Sequence, residues 1–478
     1  MLCCGAGAAA VAPDDDKSAG IEADEKAFTK HMTLRSLTID DFVSEESLFA
    51  MLKPGETGLA PCALLDGEWM LRRAKAISEI TDREDRKRLA LPRRQTLEKV
   101  DPGAYMSVDT LRMLPRGDSR INEALPLVCV SHCWHGPGHP DPYGDNLLTL
   151  AEAVQKARLA GEKTEEHFER FPKGNFAVFF DWVSLHQRDE NGVRNPHENA
   201  AFHQALSKMN IWYAHMKTLV YLLTATPSAW PPETPAYGDR GWPSFERMIT
   251  MLLKHQSGKC WATICDVGAF AEGGIGRTVV VPPKAPEDFE EMLSRLKFTN
   301  NADKKNVMML YKDTLDTALG QARSLRYTGL RWGDQQMRDL VKVLPLCRKL
   351  VYLNLKGSHN AYTSESAALL TDVLGRDGVL PNLKMIGAGS REAAAEDQGP
   401  LLEDAKLHAV CVARGVSLLR DVPFELVDEL RAQTIATTKA GQRRTKWQHA
   451  TQSRATSRRR SSVVMTMRSV LKAVKRTP

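Results

Sequence analysis

The chain has 478 residues with 42% hydrophobic and 26% charged side chains, the balance of a soluble globular protein too long for one ordinary core. No run approaches the roughly 20 apolar residues of a membrane-spanning helix, and the start MLCCGAGAAAVAPDDD lacks the basic region and apolar run of a secretory leader. The formal charge of +6 sits at one end: from Leu430 onward there are thirteen Lys and Arg and no Asp or Glu, so the rest nets about −7. Nine dispersed cysteines without a CxxC pair fit a reducing, cytoplasmic compartment.

Residues 1–30 are rich in Ala, Gly and Asp and are expected to be disordered. Residues 31–94 mix short helical patterns with charge runs such as TDREDRKRLALPRR, which predicts a helical layer. From Leu125 the pattern sharpens. LPLVCVS (125–131) is a short apolar run expected to form a strand buried on both faces. The loop HCWHGPGHPDPYG follows, then a helix from Asn146 to about Ala160, stopped by Gly161. NFAVFFDWV (175–183) predicts a second buried strand. Phe202, Leu206, Met209, Tyr213 and Met216 then recur at helical spacing, and TLVYLLT (218–224) predicts a third strand. A Pro-rich loop leads to a helix that holds Glu246.

Strands alternating with helices predict an α/β fold built on a doubly wound parallel sheet. Ligands bind such sheets beyond the carboxyl ends of the strands. Those ends carry Ser131, His132 and Trp134, then Asp181 and Trp182, then Thr224 and the loop to Trp242. Further on, LRYTGLRWGDQQMRDLVKVL and LVYLNLKGSHNAYTSESAALLTDVL read as two copies of one strand–turn–helix unit, with LKMIGAG opening a third. Over 301–400 this resembles helix-containing leucine-rich repeats; the alternative is an α/β appendage of another type. So few copies need a neighbouring domain to pack on. A helical extension is expected over 401–430 and a basic tail over 431–478.

Three clusters carry chemistry. His132, Cys133, His135, His139 and Asp141 crowd ten residues, which invites a metal, but the spacing is no known finger pattern and supplies no further ligand pair. A rigid loop at the active edge of the sheet explains the same residues, so no metal ligands are assigned. Asp181, at a strand end, could hold a ribose hydroxyl or cap its own turn. In RGWPSFERM, Pro243 suits a first helical position, and Phe245, Met248, Ile249 and Leu252 form the buried stripe. Glu246 falls off that stripe, on the face of Trp242. The helix dipole favours a first-turn carboxylate and keeps it ionised. That reads as a helix-start residue, or as an ionised carboxylate facing a developing oxocarbenium ion in glycosidic cleavage, and poorly as a general acid.

Taken together, VSHCW, FFDWVSLHQ, IWYAHMKTLVYLL and RGWPSFERM resemble the heterokaryon-incompatibility (HET) domain, over roughly residues 95–255 within a domain placed at 95–300. The matching residues are Ser131 with Trp134, Asp181 with Gln187, Met209 with Tyr213 and Ala214, and Arg240 with Trp242 and Glu246. Leu185 and Phe245 stand where the pattern has Cys and Gln. HET domains are similar to TIR domains, which share the TIR/flavodoxin-like sheet and often carry a W-x-x-x-E helix. The resemblance implies that Glu246 is catalytic for cleaving NAD as substrate, with Trp242, Ser131, His132, Trp134 and Asp181 lining the substrate. It implies an intracellular signalling or self/non-self protein acting by assembly; the alternatives are a non-enzymatic scaffold and a metal-dependent hydrolase.

Each end carries a modification pattern. Cys3 and Cys4 resemble an S-palmitoylated start, or are plain thiols in a tail. The polybasic run with the acid-free segment 463–474 suits an anionic bilayer or calmodulin first, and would also serve as a nuclear address or RNA-binding tail. Ser461 and Ser462 follow three arginines, a context for a basic-directed kinase, and phosphate there would loosen membrane attachment. The expected location is cytoplasmic and peripheral at a membrane.

Overall fold

A computed structural model describes residues 37–117, 123–136, 138–162, 171–254, 261, 263–268, 280–357, 360–389 and 399–420. Cys3, Cys4, Ser461, Ser462 and the basic tail lie outside the described residues.

The chain forms two sheets. The first has five strands: β1 (Leu65–Asp66), β2 (Leu127–Ser131), β3 (Ala177–Phe179), β4 (Leu219–Leu222) and β5 (Ile264–Asp266), in the order β1-β3-β2-β4-β5. β2 to β5 are parallel, and β1 pairs antiparallel with β3 at the edge. The stretch ahead of residue 95 therefore supplies an edge strand as well as helices. Alternate residues feed two separate cores. Leu127, Cys129, Phe179, Val220 and Leu222 face one side, and Val128, Val130, Val178, Leu219 and Tyr221 face the other. A strand buried on both faces must be apolar at every position, which explains the unbroken LVCV run.

Helix α1 (Gly67–Ser78) packs against α2 (Asp145–Glu162) over the second core. Asp66 caps α1 by accepting the Trp69 N–H at 2.9 Å. Between β3 and β4 lie the short turn α3 (Asp181–Ser184), α4 (Pro196–Leu206) and α5 (Met209–Ala214). Two expectations need correction here. The strand expected over 175–183 stops at Phe179, because the Ser184 hydroxyl accepts the Phe180 N–H at 3.0 Å and Asp181 starts a helical turn. The single helix expected over 202–216 is broken: Lys208 leaves helical geometry at φ −120°, and α5 begins afresh.

After β4 come α6 (Gly241–Leu253), β5, α7 (Pro286–Ser294) and the long α8 (Asp303–Gln321). α5, α6 and α8 pack together on the first core. α8 then leads into the second sheet, made of β6 (Ser324–Arg326), β7 (Tyr352–Asn354), β8 (Met385–Gly387) and β9 (Ser417–Leu419). These are all parallel and stand in sequence order, joined by α9 (Asp334–Val343), α10 (Ser364–Gly375) and α11 (Ala405–Ala413). One hydrophobic core runs from β2 through α8 into this module. Among the described residues no helix is long and apolar enough to cross a membrane.

Asn360 ties successive units of the module. Its amide nitrogen donates to the Tyr327 and Leu355 carbonyls (3.3 and 3.0 Å), and its oxygen accepts the Trp332 N–H (3.1 Å). Asn360→Ala is expected to cost roughly 2–3 kcal/mol. The check is a lowered denaturant midpoint with little change in slope.

Candidate active site

The strand order reverses beside β2, between β3 and β4, and the crevice beyond their carboxyl ends is where an open parallel sheet binds ligands. A cavity of about 540 Å³ opens there. His132 and Trp134 enter from the end of β2, Asp181 from the end of β3, and Trp242 and Glu246 from the first turns of α6. Five of the six residues expected to form the site thus line one cavity, although more than a hundred positions separate them in sequence.

The sixth, Ser131, is not among the residues lining the cavity. It is fully buried behind it, because the last residue of β2 still belongs to the sheet. Its hydroxyl lies 2.6 Å from the Tyr237 hydroxyl, and Tyr237 in turn donates to the Pro243 carbonyl at 3.0 Å. The Ser131 and Tyr213 hydroxyls both act on the Glu246 carboxyl, and the Tyr213 hydroxyl donates to the Val130 carbonyl at 3.1 Å.

Glu246 faces inward. Only 8% of it is exposed. Burial drives its pKa well above the ordinary carboxylate value, the negative charge of Asp181 adds to the rise, and the Ser131 and Tyr213 hydroxyls offset only part of it. Burial therefore works against the ionised carboxylate expected at a helix start. The helix starts at Gly241, so Glu246 is its sixth residue and lies beyond the first turn, where the dipole effect has already fallen off, whereas removing a carboxylate from water costs far more.

Asp181 both caps its turn and holds a wall of the cavity. One oxygen accepts the Trp182 N–H at 2.6 Å, and the other accepts Trp134 Nε1 at 2.9 Å. His132 Nε2 stands 3.5 Å from Asp181. Burial holds the His132 pKa down, Asp181 works against that, and Arg240 adds to the depression, so the ring is neutral at pH 7. Trp242 donates from Nε1 to Asp303 at 3.0 Å and meets the Phe245 ring edge-on.

The loop residues crowded after His132 take separate tasks. Asp141 accepts the Asn146 and Leu147 N–H groups at the start of α2. His139 contacts the Leu91 carbonyl and accepts the Asp141 N–H, His135 stacks edge-on against Tyr143 and Trp230, and Cys133 is a buried thiol in the core. Among the described residues no three His, Cys, Asp or Glu converge in a ligand set.

Sequence reasoning missed one wall. Lys297, Phe298, Asn300, Asp303 and Asn306 line the cavity from the segment between α7 and the first turn of α8. Lys297 bridges to Arg240 in parallel register, its N–H donating to Asp239 O (2.8 Å) while its carbonyl accepts the Gly241 N–H (3.0 Å). Gly241 is needed for this approach, since a Cβ there would fall 1.8 Å from the Phe298 ring. A glycine before Trp242 was the one local trace of the contact. The chain matches no family model, no curated protein and no solved structure.

Proposed function

We propose that this chain is a HET/TIR-like intracellular signalling protein whose cavity at Glu246 binds NAD and cleaves its nicotinamide–ribose bond. The reading takes the first sheet as a doubly wound, TIR/flavodoxin-like core. It takes the second as a leucine-rich-repeat-like module for protein partners or self-association. The observation that carries it is the meeting of Trp134, Asp181, Trp242 and buried Glu246 around one cavity at the strand ends.

The reaction asks little proton transfer of the protein. The C1′–N bond breaks with both electrons leaving on the nicotinamide nitrogen, water supplies the new C1′–O bond, and the water proton is released. As a neutral acid, Glu246 donates a hydrogen bond to a ribose hydroxyl in the ground state. When positive charge develops on the sugar, its field lowers the Glu246 pKa, the carboxyl proton passes to water entering the cavity, and the carboxylate faces the cation. The dry surroundings that disfavour a lone carboxylate make this pairing strong. Trp134 and Trp242 wall the site from water, and Asp181 keeps Trp134 in place.

The test is NAD consumption by the full chain and by Glu246→Ala, with folding checked by circular dichroism. Loss of turnover, expected at 100-fold or more in a folded variant, supports the reading; turnover retained in the variant, or absent from concentrated wild type, sinks it. A second reading, a non-enzymatic scaffold, draws on the burial of the same carboxyl, which fills a core position beside the Ser131 and Tyr213 hydroxyls. It expects assembly and signalling to survive Glu246→Ala and to fail on surface substitutions. Under either reading the protein works in the cytoplasm, and the polybasic tail with Cys3 and Cys4 brings it to an anionic membrane.

A further inference from the structure

We infer that Arg240 and Lys297 form the anion-binding end of the cavity and hold the phosphate groups of a ligand whose sugar reaches Glu246 and Asp181. This rests on the reading above, but assigns a ligand contact to a segment outside the region that resembles the HET domain. The backbone bridge between Arg240 and Lys297 sets the two residues side by side, and both line the cavity.

Their charges are uncompensated. Among the described residues the Lys297 ammonium has neither a hydrogen-bond acceptor nor a carboxylate within ion-pair distance, while the Arg240 guanidinium donates only from Nε, to the Pro235 carbonyl at 3.1 Å. The carboxylates that share the cavity, Asp181 and Asp303, accept from Trp134, the Trp182 amide and Trp242 and make no ion pair with Arg240 or Lys297 among the described residues, while burial pushes the Glu246 pKa up. His132 Nε2, also on the lining, is buried and without a hydrogen-bond partner.

Two cations at one wall without an ion-pair partner among the described residues, one a planar fork and the other a mobile ammonium, match phosphate oxygens. A phosphate-free nucleoside would leave both unmatched. The cavity therefore selects nucleotides over nucleosides, and Lys297 is a specificity-determining residue. Phe298, pressed against Gly241, keeps that segment at the cavity mouth.

The test titrates inorganic pyrophosphate into wild type, Lys297→Met and Lys297→Arg by calorimetry. Lys297 is exposed, so these variants keep their fold. Saturable binding to wild type is expected, weakened roughly tenfold or more in Lys297→Met, largely kept in Lys297→Arg, and reduced by salt. In turnover, the KM for NAD rises by a similar factor in Lys297→Met against a much smaller change in kcat, and the KM for phosphate-free nicotinamide riboside moves far less. Equal pyrophosphate affinity in wild type and Lys297→Met, or none in wild type, overturns the inference. Discrimination of pyrophosphate without NAD turnover keeps the anion site and discards glycoside cleavage. NAD turnover with the same KM in Lys297→Met does the reverse.

Discussion

Glu246→Gln is expected to gain stability over the wild type steadily as pH rises above about 4.5. The unfolded chain releases the Glu246 proton near the ordinary carboxylate value of about 4.3, while the folded chain retains it far above that. Between those two pKa values the native state binds the extra proton, so wild-type stability falls as pH rises, by up to about 1.4 kcal/mol per pH unit. Below the unfolded value both states are protonated and nothing is lost. Glutamine has the same shape, keeps a polar contact with Ser131 and Tyr213, and does not titrate. Urea unfolding at pH 4 should therefore give nearly equal midpoints for the two proteins, and at pH 5, 6 and 7 a widening advantage for the variant. A difference that stays flat over this range would mean the carboxyl is not the buried acid described. The same variant should lose NAD cleavage. Stability rising while activity falls is the mark of a group held in a costly state for its chemistry.

Lys254→Met is expected to destabilise the protein by roughly 3 kcal/mol or more, the largest loss among single changes near the site. The fully buried Lys254 amine ends α6 and donates to the His215 carbonyl, the Thr218 carbonyl (2.7 Å) and Thr218 Oγ1 (2.8 Å). It fastens the helix that carries Glu246 to the turn that starts β4. Methionine fills the stem volume but leaves these acceptors without a donor. Burial lowers the Lys254 pKa from 10.5 to about 7, with only a small opposing effect from Cys129. From pH 7 to 10.5 the unfolded chain binds a proton that the folded chain does not, so wild-type stability gains from this residue across that window. The deficit of Lys254→Met should hence be larger at pH 9.5 than at pH 7. Melting both proteins at the two pH values checks it, and a deficit that shrinks with pH would contradict the assignment.

The two residues lie eight positions apart on one helix and its cap, yet they show where local reading ends. The apolar run LVCV, the strand at Leu219 and the buried stripe Phe245, Met248, Ile249 and Leu252 were readable from the chain, because a strand buried on both faces and a helix packed on one side each impose a composition. Trp134, Asp181, Trp242 and Glu246 could be placed at one edge for the same reason, since strands that alternate with helices put their carboxyl ends together. The helix break at Lys208 and the early end of β3 were not readable, because each depends on one local geometry that the apolar spacing does not encode.

By itself, then, the sequence determined the α/β alternation, the buried strands and the edge on which the site lies, since burial periodicity is a property of neighbouring residues. Only the tertiary structure decided that Ser131 sits behind the cavity, that Lys297 and Phe298 close it, and that burial drives the Glu246 pKa up. A helix start acts on a carboxylate through its own first turn. Desolvation acts through every group packed around it, and here those groups come from β2, β3, α5 and the loop before α6.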